Sequence, residues 1–294
     1  MLKRLSIYAR EMYPIIPRLG ISFLMVAVQI LGVLTFARTQ PRYQFNWEDL
    51  GIIYTVFAFL FLLRIADEFK DLENDRINYP ERPLPSGRLF KKDLWYLGTV
   101  LFVTMVGLNI LLPQPIWPFI LVVFYGFLMT VWFFQRAKIE PSLVLALVTH
   151  NPVQLLLSLY VIHYVTVQYE LPLWTKENVL LAFVLYIPAL LWEVSRKIKA
   201  PADENQYVTY SQVWGFRGSL YAVSGIAAVG VIAAWVLVAE LTASLLLMVS
   251  FIGLLYTLYR FYQNPDGKNL KTSVPAYLIA HLSVFLLLVT LLYI

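Results

Sequence analysis

Nine stretches of the chain are apolar for long enough to cross a bilayer as helices, and short polar segments between them hold most of its charge. A spanning helix needs about 20 predominantly apolar residues. Such runs lie at about 15–37, 50–66, 94–112, 116–134, 142–165, 178–195, 217–238, 241–262 and 273–293. They are about twice a barrel strand in length and do not alternate, which excludes a transmembrane β-barrel. Turn residues punctuate them: Gln40-Pro41 after the first, Pro113-Gln114-Pro115 after the third, Asn264-Pro265-Asp266-Gly267 before the ninth. The opening segment, Met1 to Pro14, carries Lys3, Arg4, Arg10 and Glu11 without an apolar core. It therefore reads as a short amphipathic lead-in on the membrane surface and not as a cleavable signal.

Composition sharpens this into a class. Of 294 residues, 60% are hydrophobic and 14% charged, where soluble domains run about 45–50% and about 25%. A soluble enzyme and a disordered chain are both excluded. There is no cysteine, so disulfides, thiolate metal sites and cysteine nucleophiles are excluded too. The expected fold is an all-α polytopic membrane protein of nine transmembrane helices, one domain over residues 1–294, capped at about 67–93 and 196–216.

The formal charge of +5 could suggest a nucleic-acid partner, but the placement of the bases points to the bilayer instead. With nine spans, 20 of the 23 Lys and Arg fall on one side, leaving Arg38, Arg42 and Lys176 on the other. The positive-inside rule puts the N-terminus in the cytoplasm and the C-terminus outside. A bacterial inner membrane is the expected location.

The acids are concentrated as well. Seven of 18 fall between Asp67 and Asp93, and three more are Glu193, Asp203 and Glu204. Asp67, Asp71 and Asp75 are spaced i, i+4, i+8, so on a helix they stack along one face, with Glu68 beside Asp71. Like charges at that spacing destabilise a helix, and the arrangement asks for a divalent cation; the plainer reading is a charged helix end reaching into the headgroups. Carboxylate oxygens suit Mg²⁺, which is commonly held by one or two carboxylates, waters and substrate phosphates. Glu193 sits late in the sixth span and is either functional or simply neutralised by Arg196 or Lys197. Pro201 breaks the helix before Asp203-Glu204.

Bases accompany both groups. The stiff segment Pro80-Glu81-Arg82-Pro83-Leu84-Pro85-Ser86-Gly87-Arg88 holds Arg82 and Arg88 near the first, and arginine grips phosphate with a planar fork. Arg136 and Lys138 leave the fourth span, and Lys197 and Lys199 the sixth, on the same side. An anionic diphosphate would be repelled by so many carboxylates unless Mg²⁺, in two or more ions, lay between them.

Here the chain resembles the UbiA superfamily of intramembrane prenyltransferases. Asp67-Glu68-x-x-Asp71-x-x-x-Asp75 parallels that family's first motif, Asn-Asp-x-x-Asp-x-x-x-Asp, and Arg82-Pro83-Leu84 parallels its Arg-Pro-Leu tail. Asp67 replaces the family's Asn and Glu68 its Asp, and the second motif is reduced to Glu193 and Asp203-Glu204, which marks a divergent branch. The resemblance implies a UbiA-like bundle with a lipid-accessible central cavity. It implies Mg²⁺-dependent transfer of an isoprenyl group from an isoprenyl diphosphate to a lipophilic acceptor, of aromatic or quinone-precursor type. Asp67, Glu68, Asp71, Asp75, Glu193, Asp203 and Glu204 would hold the metal. Asp67, Asp71, Asp75, Glu193 and Asp203 would count as catalytic. Arg82, Arg88, Arg136, Lys138, Arg196, Lys197 and Lys199 would bind the phosphates.

Further polar residues sit within spans. Thr149-His150-Asn151-Pro152 interrupts the fifth, where His150 and Asn151 either position an acceptor or bond between helices. Tyr125, on the fourth span, is a cavity candidate. His281 and Gln29 are expected to be packing partners. Two rival readings remain: a UbiA-type terpene cyclase using the same ionisation, and a transporter of metal ions or anions, although transporter sites favour the bilayer midplane.

Overall fold

The computed structural model describes residues 1–204, 208–238, 241–265 and 267–294. Asp266, part of the turn expected before the ninth span, lies outside them. The regular elements of the described residues are all helical. They divide into two compact units, Met1–Val26 with Gln44–Phe134, and Ala27–Tyr43 with Gln135–Ile294.

The first unit holds α1 (Leu2–Glu11), the start of α2 (Ile15–Phe36), α3 (Trp47–Lys70), α4 (Leu72–Asn78), α5 (Lys91–Leu111) and α6 (Trp117–Thr130). A capping box starts α3: the Asn46 side chain accepts the Asp49 N–H and the Asp49 carboxylate accepts the Asn46 N–H, both at 3.1 Å. The helix packs against α5 and α6. Asn109 of α5 is buried and donates to Thr55 Oγ1 of α3 at 2.8 Å, a bond between spans worth about 1 kcal/mol or less. At Gly126 of α6 a Cβ would lie 2.8 Å from the Phe59 ring, so only glycine lets these two helices approach so closely.

Among the described residues, eight helices are long and apolar enough to cross a membrane. The exception among the nine expected is the run at about 116–134, which forms only the 14-residue α6. Fourteen residues rise about 21 Å, against a hydrocarbon core of about 30 Å. The helix stops because Trp132, Phe133 and Phe134 take φ of 54°, 49° and 57°. A left-handed turn costs an L-residue about 1–2 kcal/mol. Lys70 braces it, with Nζ 4.0 Å from the Trp132 ring centroid and donating to the Met129 carbonyl at 3.2 Å.

The second unit holds the rest of α2, then α7 (Arg136–Ile139), α8 (Leu143–His150), α9 (Val153–Gln168), α10 (Lys176–Ser195), α11 (Tyr210–Trp214), α12 (Phe216–Val238), α13 (Leu241–Gln263) and α14 (Gly267–Tyr293). The fifth span is broken between α8 and α9, because Pro152 has no N–H for the Val148 carbonyl. The chain resumes through i to i+3 bonds from Gln154 to Asn151 and from Leu155 to Pro152. Long helices pack side by side here, α12 along α10 and α14 along α13.

At Gly230 of α12 a Cβ would meet Ile187 Cγ2 of α10 at 2.7 Å. Gly230→Leu is expected to destabilise this unit by about 1–3 kcal/mol through overpacking. Thermal unfolding in detergent checks this; an unchanged midpoint would mean that the two helices can separate at no cost.

Candidate functional site

The first acidic group occupies the junction of α3 and α4. The helical hydrogen-bond repeat runs through it: the Asp71 N–H donates to the Asp67 carbonyl at 2.9 Å, Asp75 to Asp71 at 2.7 Å, and Tyr79 to Asp75 at 2.8 Å. Asp67, Asp71 and Asp75 therefore follow one another along one face, although Asp71 itself closes α3 with φ −97° and ψ 1°.

Burial divides these acids. Glu68 and Asp75 are buried, Asp67 is half-buried and Asp71 is exposed. A buried carboxylate needs a partner, and both buried ones have an arginine: Arg64 donates to Glu68, and Arg82 Nη1 lies 2.7 Å from each oxygen of Asp75. Arg82 is seated over the Tyr79 ring, 4.0 Å from its centroid. Bonds from Arg82 N–H to the Tyr79 carbonyl and from Leu89 N–H to the Pro83 carbonyl close the proline-rich segment on itself. Lys70 Nζ is 3.9 Å from Asp67.

Helix α1 is latched beside this face. Arg4 forks onto Asp93 at 2.6 and 2.8 Å, and Arg88 forks onto Glu11 at 2.6 and 2.8 Å while also reaching the Glu81 carbonyl. Arg88, expected to grip phosphate, thus ties α1 to the loop. Tyr8, between the two latches, and Tyr13, just beyond the second, stack on Phe61 with centroids 6.2 and 4.1 Å away. Burial raises the Tyr13 phenol to about 12. Burial first and the Glu68 charge second push the Tyr8 phenol up as well.

The hydrogen bond from Arg88 holds the Glu11 carboxyl below its ordinary range. A carboxylate depressed by folding stabilises above its unfolded value, about 4.3 for glutamate, and that support is lost as pH falls through the lower folded value. Docking of α1 should therefore be constant from neutrality down to about pH 4.3 and weaken below it. Proteolytic cleavage of α1 against pH reads this out. Release of the helix while Glu11 is still ionised would contradict the latch.

In the second unit the expected residues sit in four local groups. Glu193 accepts from Arg196 at 2.6 and 2.9 Å and pairs with Lys197 at 3.0 Å. Glu204 accepts from Thr209 Oγ1 at 2.8 Å, Ser211 Oγ at 2.6 Å and Gln212 Nε2 at 2.9 Å. Ser211 Oγ also accepts the Lys199 N–H at 2.9 Å, so the loop after α10 folds back on the start of α11. Asp203 lies exposed on a single 3₁₀ turn. Arg136 pairs with Glu140 at 2.8 and 2.9 Å, and Lys138 is exposed. At the break in span five, Thr149 Oγ1 is 3.0 Å from His150 Nδ1, and the Asn151 Oδ1 is buried with no hydrogen-bond partner among the described residues.

Tyr125, in the first unit, is half-buried edge-on to Phe133 at 5.3 Å. A trough of about 600 Å³ lies between α3, α5 and α6, lined by Leu62, Ala66, Phe69, Trp95 and Phe127, with Lys70 as its one ionisable lining residue. On α3 the lining includes Leu63 and Lys70 as well, and Lys70 Nζ is also 3.9 Å from Asp67, so the edge of the trough meets the first of the acids.

Sequence reading missed Tyr8 and the hydroxyl cradle of Glu204. The cradle had a signal, the capping box Thr209-Tyr210-Ser211-Gln212.

The UbiA prenyltransferase family model matches residues 23–290. Two curated relatives, both digeranylgeranylglyceryl phosphate synthases, are similar over part of the chain. The one from Methanosarcina mazei is 31% identical over 27% of this chain and 29% of its own length. The one from Methanococcoides burtonii is 30% identical over 31% of each. The matches thus span about three-tenths of these relatives' length. A solved structure described as digeranylgeranylglyceryl phosphate synthase in membranes aligns with a TM-score of 0.61 at 14% identity, covering 98% of this chain and 99% of that one. The apo structure of a UbiA homolog from Aeropyrum pernix K1 aligns with a TM-score of 0.57 at 16% identity, covering 93% and 97%.

Proposed function

This chain belongs to the UbiA prenyltransferase family, and from that premise we propose that it transfers an isoprenyl group from an isoprenyl diphosphate, with Mg²⁺, to a lipophilic acceptor in the membrane. The observation that carries this reading is the chain of backbone bonds that links Asp67, Asp71 and Asp75 across the junction of α3 and α4, with Arg82 fixed on the last of them. Oxygen donors fit Mg²⁺. Among the described residues no three carboxylates or histidines converge on one point; an ion here would be held by one or two carboxylates and completed by substrate phosphates. Asp67 and Asp71, the more exposed pair, would hold it.

Bound Mg²⁺ supplies charge neutralisation to the departing diphosphate. Arg82 adds a fixed positive charge, held by Asp75 and by the Tyr79 ring, where negative charge develops as the carbon–oxygen bond breaks. Glu68 orients Arg64 in the same way. The excess of bases on the side of the acid-bearing end of α3 supports a cytoplasmic location for that end.

For the acceptor, the name of the two curated relatives supports an isoprenylglyceryl phosphate over an aromatic quinone precursor. Purified protein supplied with geranylgeranyl diphosphate, Mg²⁺ and each acceptor in turn tests this. The expected product is the doubly prenylated glyceryl phosphate with one diphosphate released per transfer. A prenylated aromatic would move the acceptor assignment. A cyclic hydrocarbon made without acceptor would replace transfer by cyclisation, and ion flux into liposomes without diphosphate release would replace it by transport.

A further inference from the structure

We propose that the Tyr8 hydroxyl of α1 donates a hydrogen bond to a phosphate oxygen of the isoprenyl diphosphate at the first acidic motif, which makes the N-terminal helix part of the substrate site. The inference rests on the function proposed above for that motif. Nothing in the sequence motif points to Tyr8, and the family model begins only at residue 23.

Tyr8 is 0% exposed. Its hydroxyl is buried and has no hydrogen-bond partner among the described residues. A tyrosine put inside usually has its hydroxyl satisfied, and a phenylalanine would serve packing on Phe61 equally well. The ring stacks on Phe61 of α3, two turns before Glu68, and the charges of Glu68, Arg64 and Asp67 act on the hydroxyl. Burial and the Glu68 charge keep the phenol protonated, hence a donor, at any working pH.

The position is held from several directions. The ring is nearly parallel to Phe61, at 14°. The Tyr8 carbonyl accepts from Met12 and Tyr13, which turns the chain out of α1 at this point. Arg4 on Asp93 and Glu11 on Arg88 clamp the helix one turn before and one turn after Tyr8. Glu68, the acid whose charge acts most on the hydroxyl, is already occupied by Arg64. An incoming phosphate oxygen supplies an acceptor, and a neutral donor can meet it without disturbing the balance of carboxylates and arginines around it.

Tyr8→Phe separates this role from packing, because it removes the hydroxyl and keeps the ring. Two readouts are needed: binding of inorganic pyrophosphate with Mg²⁺ by titration calorimetry, and KM values with geranylgeranyl diphosphate and acceptor. In the variant, pyrophosphate affinity should fall about tenfold and the donor KM should rise by a similar factor. The acceptor KM should hold, and the thermal midpoint should hold or rise, since an unsatisfied hydroxyl has been removed. Pyrophosphate affinity within twofold of wild type would overturn the proposal, as would a shift confined to the acceptor KM. If wild type binds pyrophosphate more tightly than the variant yet turns over no isoprenyl diphosphate, the Tyr8 contact stands and the prenyl-transfer reading fails. If wild type turns over and the variant binds equally well, the reverse holds.

Discussion

Asp71→Ala is expected to lower diphosphate release from geranylgeranyl diphosphate by about 10²–10³-fold while leaving the protein folded. Asp71 is exposed at the bend where α3 gives way to α4. Its backbone makes the bonds that continue the helical repeat, and alanine keeps both. Removing the side chain opens no cavity. What is lost is one hard oxygen donor from the pair proposed to hold Mg²⁺, and with it the focusing of positive charge on the leaving group. The Mg²⁺ concentration needed for half-maximal activity should rise together with the fall in rate. Retention of more than a tenth of wild-type activity, at an unchanged Mg²⁺ requirement, would remove Asp71 from the site.

Arg82→Met is expected to damage both structure and turnover. Asp75 keeps only 7% of its side chain exposed, and Arg82 is the charge upon it. Breaking a buried pair from one side leaves a stranded charge; the fully buried case costs about 3–5 kcal/mol, and with Arg82 30% exposed the expected loss is about 2–3 kcal/mol. The seat on Tyr79 is lost too, and the loop from Pro80 to Leu89 loosens with it. Adding Asp75→Asn should recover most of the stability, because the stranded charge is gone, and recover none of the activity. Thermal midpoints and diphosphate release, measured on both single variants and the double variant, make the cycle. Recovery of activity in the double variant would show that Arg82 acts only as a structural counter-ion.

The long spans were legible because about 20 apolar residues in a row admit few other structures. The spacing of Asp67, Asp71 and Asp75 was legible from helix period, and the bend at Asp71 that divides α3 from α4 was not. The pairing of Glu193 with Arg196 was legible too, since it follows from spacing.

The early end of α6 was not, because Trp132, Phe133 and Phe134 are as apolar as the helix they terminate, and hydropathy carries no sign of φ. Nor were the latches of α1. Arg4 and Asp93 are 89 positions apart, Glu11 and Arg88 are 77 apart, and only the folded chain brings them together. The pairing of Arg88 with Glu11 is set by tertiary structure alone. Tyr8 was one of 19 tyrosines until burial and its unpartnered hydroxyl set it apart.

The most direct measurement follows carbon-labelled geranylgeranyl diphosphate through a single turnover in proteoliposomes, with geranylgeranylglyceryl phosphate and Mg²⁺ present, in wild type and in Asp71→Ala. Wild type should move the label into a digeranylgeranylglyceryl lipid and release one diphosphate for each transfer, and Asp71→Ala should leave the label on the diphosphate. Label remaining on the diphosphate in wild type, or transferred equally well by Asp71→Ala, would contradict a prenyl transferase working through the first acidic motif.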